Sequence, residues 1–177
     1  MTTTNIDYIN TSFEYPVLTK IQGLPTYPTL KIIKDEMKAN ATSVFSDLGD
    51  ETNGHLGLML RPNEYSNTSL IPYNRQVHPG TLIIAPGTSL HESTRLRDDF
   101  KEELRQYREY TQVEKALIKQ LGTALPQIYL RGFRNTHTNT ITTDITTLLE
   151  HLFTTYGSVE SEELKEKEDI LLTGKVF

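Results

Sequence analysis

The sequence predicts a mainly α-helical protein: one compact domain of about five helices, with an extended N-terminal arm and a long Pro/Gly-rich loop. Three observations point there. Apolar residues recur at helical spacing in three stretches, near residues 29–45, 89–121 and 143–157. Prolines gather outside those stretches, at Pro16, Pro25 and Pro28 and again at Pro72, Pro79 and Pro86. The chain has 177 residues, 36% of them hydrophobic and 23% charged, which supplies one core and leaves material for polar loops.

Taken in order, residues 1–12 are polar and rich in Thr and Asn, and read as the disordered start of an arm that runs to residue 24. The prolines that follow keep the lead-in extended. The helical domain then occupies residues 25–177. Its first helix is expected over 29–45, where Leu30, Ile33, Met37, Ala41 and Val44 share a face. Residues 47–54 (DLGDETNG) form a loop. The run HLGLML at 55–60 is either a strand or a buried helical turn, and Pro62 can open a short helix after it. Residues 66–87 read as a long irregular loop, with Leu82, Ile83 and Ile84 as a strand candidate.

The longest helix is expected over 89–121. Phe100, Leu104, Tyr107, Ala116, Leu117 and Leu121 mark its apolar stripe, and seven acidic and seven basic residues lie between His91 and Lys119. The stripe is too irregular for heptads, so the charges read as a solvated face and not as a coiled coil. Pro126 ends this helix. A short helix at 127–134 and a Thr/Asn-rich loop to residue 143 come next. The clearest periodicity follows: Ile145, Leu148, Leu149, Leu152, Phe153 and Tyr156 lie on one face. Thr143 or Asp144 caps its start, and Gly157 stands where a left-handed residue can stop it. A second helix is expected directly after, capped by Ser158 or Ser161. The chain stops at Phe177 without a closing cap, so a piece of a longer polypeptide is expected.

Composition removes several function classes. No cysteine is present, which excludes disulfides, thiolate metal sites and cysteine nucleophiles. The net charge of −5 argues against a surface built throughout to grip nucleic acid. No apolar run reaches the roughly 18 residues of a membrane span, and the N-terminus lacks the pattern of a secretion signal, so a cytoplasmic location is expected.

Catalytic signatures are missing as well. The Gly174–Lys175 pair lacks the upstream glycine of a phosphate loop, and no HExxH or GxSxG pattern occurs. No two of the five histidines (His55, His78, His91, His137, His151) are spaced as helical metal ligands. Asp98, Asp99, Glu102 and Glu103 sit among arginines and read as helix surface. No catalytic residue, cofactor or small-molecule substrate is therefore assigned. The best local candidates for nucleic-acid contact are Tyr129, Arg131 and Arg134, because arginine beside aromatic rings can hold phosphates and stack on bases. Capping and core roles for the same residues remain the alternative.

These residues carry a resemblance. Ile128, Tyr129 and Leu130, Arg134 and Asn135, Leu152 and Phe153, Tyr156 and Gly157, and the run from Glu162 to Lys167 follow one another in an order that resembles the Gag-like region of copia-type LTR retrotransposons. Pro25, Tyr27, Lys34 to Glu36, Gly54 to Gly57, Glu64 and Tyr65, and Pro79 and Gly80 extend it upstream. The resemblance implies a capsid-like structural domain that associates with itself around the element's RNA. The chain has no zinc knuckle and no protease motif, so RNA contact is expected through segments outside it. Candidate self-association residues are Phe13 and Tyr15 in the arm and Tyr73, Val77 and Ile83 in the long loop; the alternative for each is to fold back onto its own core. A helical protein-binding module without catalytic activity is the competing functional reading.

Overall fold

The computed structural model describes residues 5–157, with side chains from residue 8 onward. The described chain is mainly helical, and no strand is present among the described residues. Five α-helices follow in order: α1 (Asn5–Ser12), α2 (Tyr27–Ser43), α3 (Pro62–Tyr65), α4 (Leu90–Ala124) and α5 (Ile145–Leu152). Short 3-10 turns at Leu56–Leu58, Gln127–Tyr129 and Arg131–Phe133 join them.

Local chemistry sets the ends. The Thr26 amide donates to Thr29 Oγ1 at 2.9 Å at the start of α2, whose first turn also carries Pro28. Ser89 caps α4 by accepting from the Glu92 amide, and Asp144 caps α5 by accepting from the Thr147 amide. These groups satisfy amide donors that a helix start leaves without partners.

The core lies where α2, the C-terminal third of α4, and α5 meet. Leu30, Ile33, Met37 and Ala41 from α2 pack with Val113, Leu117 and Leu121 from α4 and Ile145, Leu148 and Leu152 from α5. Burying each large aliphatic side chain contributes on the order of 1.5–3 kcal/mol against the entropy of folding. The turn at Leu56–Leu58 closes one end, burying Leu58 and Met59 and donating the His55 amide to the Ala41 carbonyl at 2.9 Å.

The structure departs from the sequence expectations in four places. Residues 5–12, expected to be disordered, form α1, whose Ile9 packs with Phe13, Leu18 and Ile21 into the same core. No core boundary therefore falls at residue 24. The lead-in is extended as expected, but it is fastened. Buried Asn40 accepts from the Tyr15 amide and donates to the Tyr15 carbonyl, and the Ile21 amide donates to the Ala124 carbonyl. Leu82, Ile83 and Ile84 form no strand, since no backbone among the described residues pairs with them. Residues 127–134 form two 3-10 turns and not one helix. Finally, α5 widens into a π-helical turn at Phe153–Gly157, and Gly157 is not left-handed. The helix expected after it lies outside the described residues.

The N-terminal part of α4 extends beyond this core. The helix has 35 residues, but its buried apolar residues begin at Tyr110. Residues 74–88 return to its start as an extended strap. Leu82 and Ile84 of the strap are half-buried and Ile83 points outward.

Candidate functional site

Exposed apolar residues occur along much of the chain, among them Val17, Leu24, Phe45 and Ile128, and five more fall between residues 70 and 90. Leu70, Ile71, Val77 and Ile83 along the loop and strap, and Leu90 at the start of α4, are all exposed, with Val77 at 82% and Ile83 at 84%. Three expected self-association residues, Tyr15, Val77 and Ile83, thus stay outside. Phe13 and Tyr73 are placed differently. Phe13 is buried beside Ile9, one helical turn earlier in the sequence, so it belongs to the core and not to a contact surface. Tyr15 is 40% exposed, and its backbone is held by Asn40 and by Gln120, which donates to the Tyr15 and Pro16 carbonyls. Tyr73 is half-buried, with its ring tilted against Tyr65 at 5.8 Å and stacked near Tyr110 at 6.4 Å.

Tyr73 belongs to a polar junction that the sequence pattern did not single out. His55 is fully buried, and its Nδ1 lies 2.8 Å from the Tyr73 hydroxyl. Its Nε2 approaches Glu109 Oε1 at 3.5 Å, an electrostatic approach without the geometry of a directed hydrogen bond. Burial pushes the Tyr73 hydroxyl far above the ordinary tyrosine range, so it keeps its proton. The direction of its bond with Nδ1 follows the His55 tautomer. His55 holds the Glu109 carboxyl below its usual range against the opposing effect of burial, and Arg105 assists. Arg75 completes the junction by donating to the Gly57 and Leu60 carbonyls at 3.0 and 2.7 Å. Together these contacts fix the start of the strap and the middle of α4 to the 3-10 turn. With His55 fully covered, the arrangement acts as a fastening and not as a site for substrate.

A groove of about 710 Å³ lies between the C-terminal part of α4 and the hairpin at 134–141. The hairpin is closed by a bridge between Arg134 and Ile141, by Asn139 at φ 56°, and by Asn135 Oδ1, which accepts from the amides of His137 and Thr138. Lys115, Lys119 and Arg134 line the groove with Ile118, Leu125 and Ile141. Of the three expected nucleic-acid contacts, only Arg134 reaches it. Arg131 is exposed on the second 3-10 turn, and Tyr129 packs edge-on to Tyr156 at 5.1 Å. The two lysines were not singled out in the sequence because one turn of spacing on a charged helix is ordinary.

Among the described residues no three His, Asp or Glu side chains gather as a metal site, and no helix is long and apolar enough to cross a membrane. No protein-family model matches the chain, and no match is found among curated proteins or solved structures.

Proposed function

We propose that this chain is a structural, non-catalytic Gag-like domain of a copia-type retrotransposon. In this reading copies associate in the cytoplasm into a capsid-like particle, and segments outside the chain hold the element's RNA. The observation that carries it is the exposure of five apolar residues between positions 70 and 90: Leu70, Ile71, Val77, Ile83 and Leu90. Exposed apolar surface marks protein contact where it gathers into a patch, and a second copy of the chain supplies the same residues. The ordered series of short sequence motifs supports the family. The net charge of −5 supports placing RNA contact elsewhere.

The test is sedimentation velocity over a range of protein and salt concentrations, with Val77→Asp/Ile83→Asp as the comparison. Wild type is expected to shift to larger species as concentration rises, and the variant to remain monomeric with an unchanged circular dichroism spectrum. A wild type that stays monomeric at high concentration overturns self-assembly by this domain, and capture of one host protein by that monomer would favour the binding-module reading.

A further inference from the structure

We propose that residues 81–85 of the strap form an open β-edge that pairs antiparallel with the same run of a second copy. The inference rests on the self-association proposed above and names the contact that carries it. Thr81, Ile83 and Ala85 are exposed, and Leu82 and Ile84 are half-buried. That is the two-residue period of a strand with one face laid on its own molecule. The amides of residues 81–85 and the carbonyls of residues 81–84 make no hydrogen bond among the described residues. The Ala85 carbonyl differs, because it accepts from the amide and the hydroxyl of Thr88. The strap is tied down on either side of this run. The Asn74 amide donates to the Leu48 carbonyl at 2.7 Å, the His78 ring meets Tyr107 edge-on at 5.0 Å, and Ser89 caps α4. The run is therefore held in place with its backbone groups unspent, and another extended backbone is the partner that matches them.

The composition of the run identifies the occupant. No Asp, Glu, Lys or Arg occurs between Arg75 and Glu92. Sheet edges are commonly blunted by such charges, and this one carries none. When identical strands pair antiparallel, a charge near the axis meets its own copy, which is destabilising. An uncharged run meets no such penalty. A second copy also brings its edge already held in place, so pairing orders little additional chain. The pleat then fixes the register. Opposed residues point to the same face, so Leu82 and Ile84 stay against their own molecules only if even-numbered residues oppose even-numbered ones. Centring the twofold axis on Ile83 sets Ile83 against Ile83 of the second copy and Thr81 against Ala85. Ile83, at 84% exposure, thereby gains a β-branched neighbour across the pair. Pro79 and Pro86 flank the run, and proline cannot donate to a ladder, so pairing stops there. Two short strands alone are marginal, so the contact is weak and forms at high protein concentration.

The test uses the full 177-residue chain, which has no cysteine, so each variant carries a single thiol. Thr81→Cys and Ala85→Cys chains are oxidised separately and as an equal mixture at high concentration. In the proposed register position 81 of one copy opposes position 85 of the other, whereas the two copies of position 81 stand about 13 Å apart along the strands. The mixture is therefore expected to cross-link several-fold faster than either variant alone. Hydrogen exchange of the unsubstituted chain gives a second readout. As concentration rises, amides within 81–85 should become protected at alternate residues, because a ladder bonds every second residue of an edge. A mixture that cross-links no faster than the single variants, or exchange at 81–85 that stays constant while sedimentation shows larger species, overturns the strand pairing and leaves self-association through other surfaces standing. A chain that remains monomeric in sedimentation overturns both. Alternate protection that appears only when an extended peptide of unrelated sequence is added assigns the edge to a foreign strand, and likewise overturns the pairing of two copies.

Discussion

Gly57 has no room for a side chain. A Cβ there would lie 2.0 Å from the Tyr73 ring, so the aromatic side chain and the 3-10 turn pack without a gap. Gly54 is constrained from the other side, with φ at +51° and a Cβ position only 2.3 Å from the Val44 carbonyl oxygen. The sequence showed these glycines only as a GHLG run, since the residue that fills the space above Gly57 comes 16 positions later. The same distance hid the junction at His55. Its partners Tyr73 and Glu109 are remote in sequence, and nothing in local spacing joins them. Tyr73→Phe removes the hydroxyl bonded to buried Nδ1 and leaves that atom without a partner. It should cost about 1–3 kcal/mol in urea unfolding. Glu114 offers a titration test of opposite character. Burial raises its carboxyl above the usual range even though its Oε1 accepts from the Ile145 amide at 3.1 Å. The folded state therefore favours the protonated form, and this contribution is intact below the ordinary value of 4.5 and is lost as pH climbs from there through the raised folded value. Glu114→Gln should stabilise the protein at neutral pH and make little difference below about pH 4. Unfolding midpoints across that range measure it.

At the scale of elements, periodicity was enough where an apolar face and a cap coincide. α2, α4 and α5 lie close to their expected positions because Leu30 to Ala41, Ala116 to Leu121 and Ile145 to Leu152 each bury one helical face. Composition misled at α1. Its eight residues NIDYINTS have little intrinsic helix preference, and the helix forms where Ile9, with Phe13 directly beyond its end, reaches the core. Alternating exposure in the strap resembled a strand, but pairing requires a neighbour with free backbone groups, and a helix has none. The groove was only partly legible. Arg134 was visible beside aromatic residues, but the hairpin that turns it toward Lys115 and Lys119 depends on the Asn135 turn. These placements separate core from surface in a measurable way. Phe13→Ala should destabilise by about 3–5 kcal/mol, whereas Val77→Ala on the strap should stay within about 0.5 kcal/mol. Chemical denaturation of the two variants tests the division directly.

For the whole molecule, the arrangement separates two tasks. The interior of the bundle sets stability, and the apolar residues along the strap and at the tip of α4 remain exposed. In the proposed self-association, contacts made by those residues should persist as salt is raised, because apolar burial is not screened as ion pairs are. Sedimentation at low and high ionic strength should therefore give similar self-association; loss of association at high salt would transfer the role to charged surfaces. The long α4 adds a mechanical consequence. Outside the core it is held by the His55–Glu109 junction, by α1, by the Arg105–Asp47 ion pair and by the Tyr107 ring against His78, and from Tyr110 to Leu90 it spans twenty residues, or about 30 Å. A tilt of about 5° at the fulcrum displaces its tip by about 3 Å, close to two residues of helical rise. The combined angular stiffness of these contacts thus sets how accurately the far end is aimed, and softening them would widen the range of angles at which that end is presented without altering its surface.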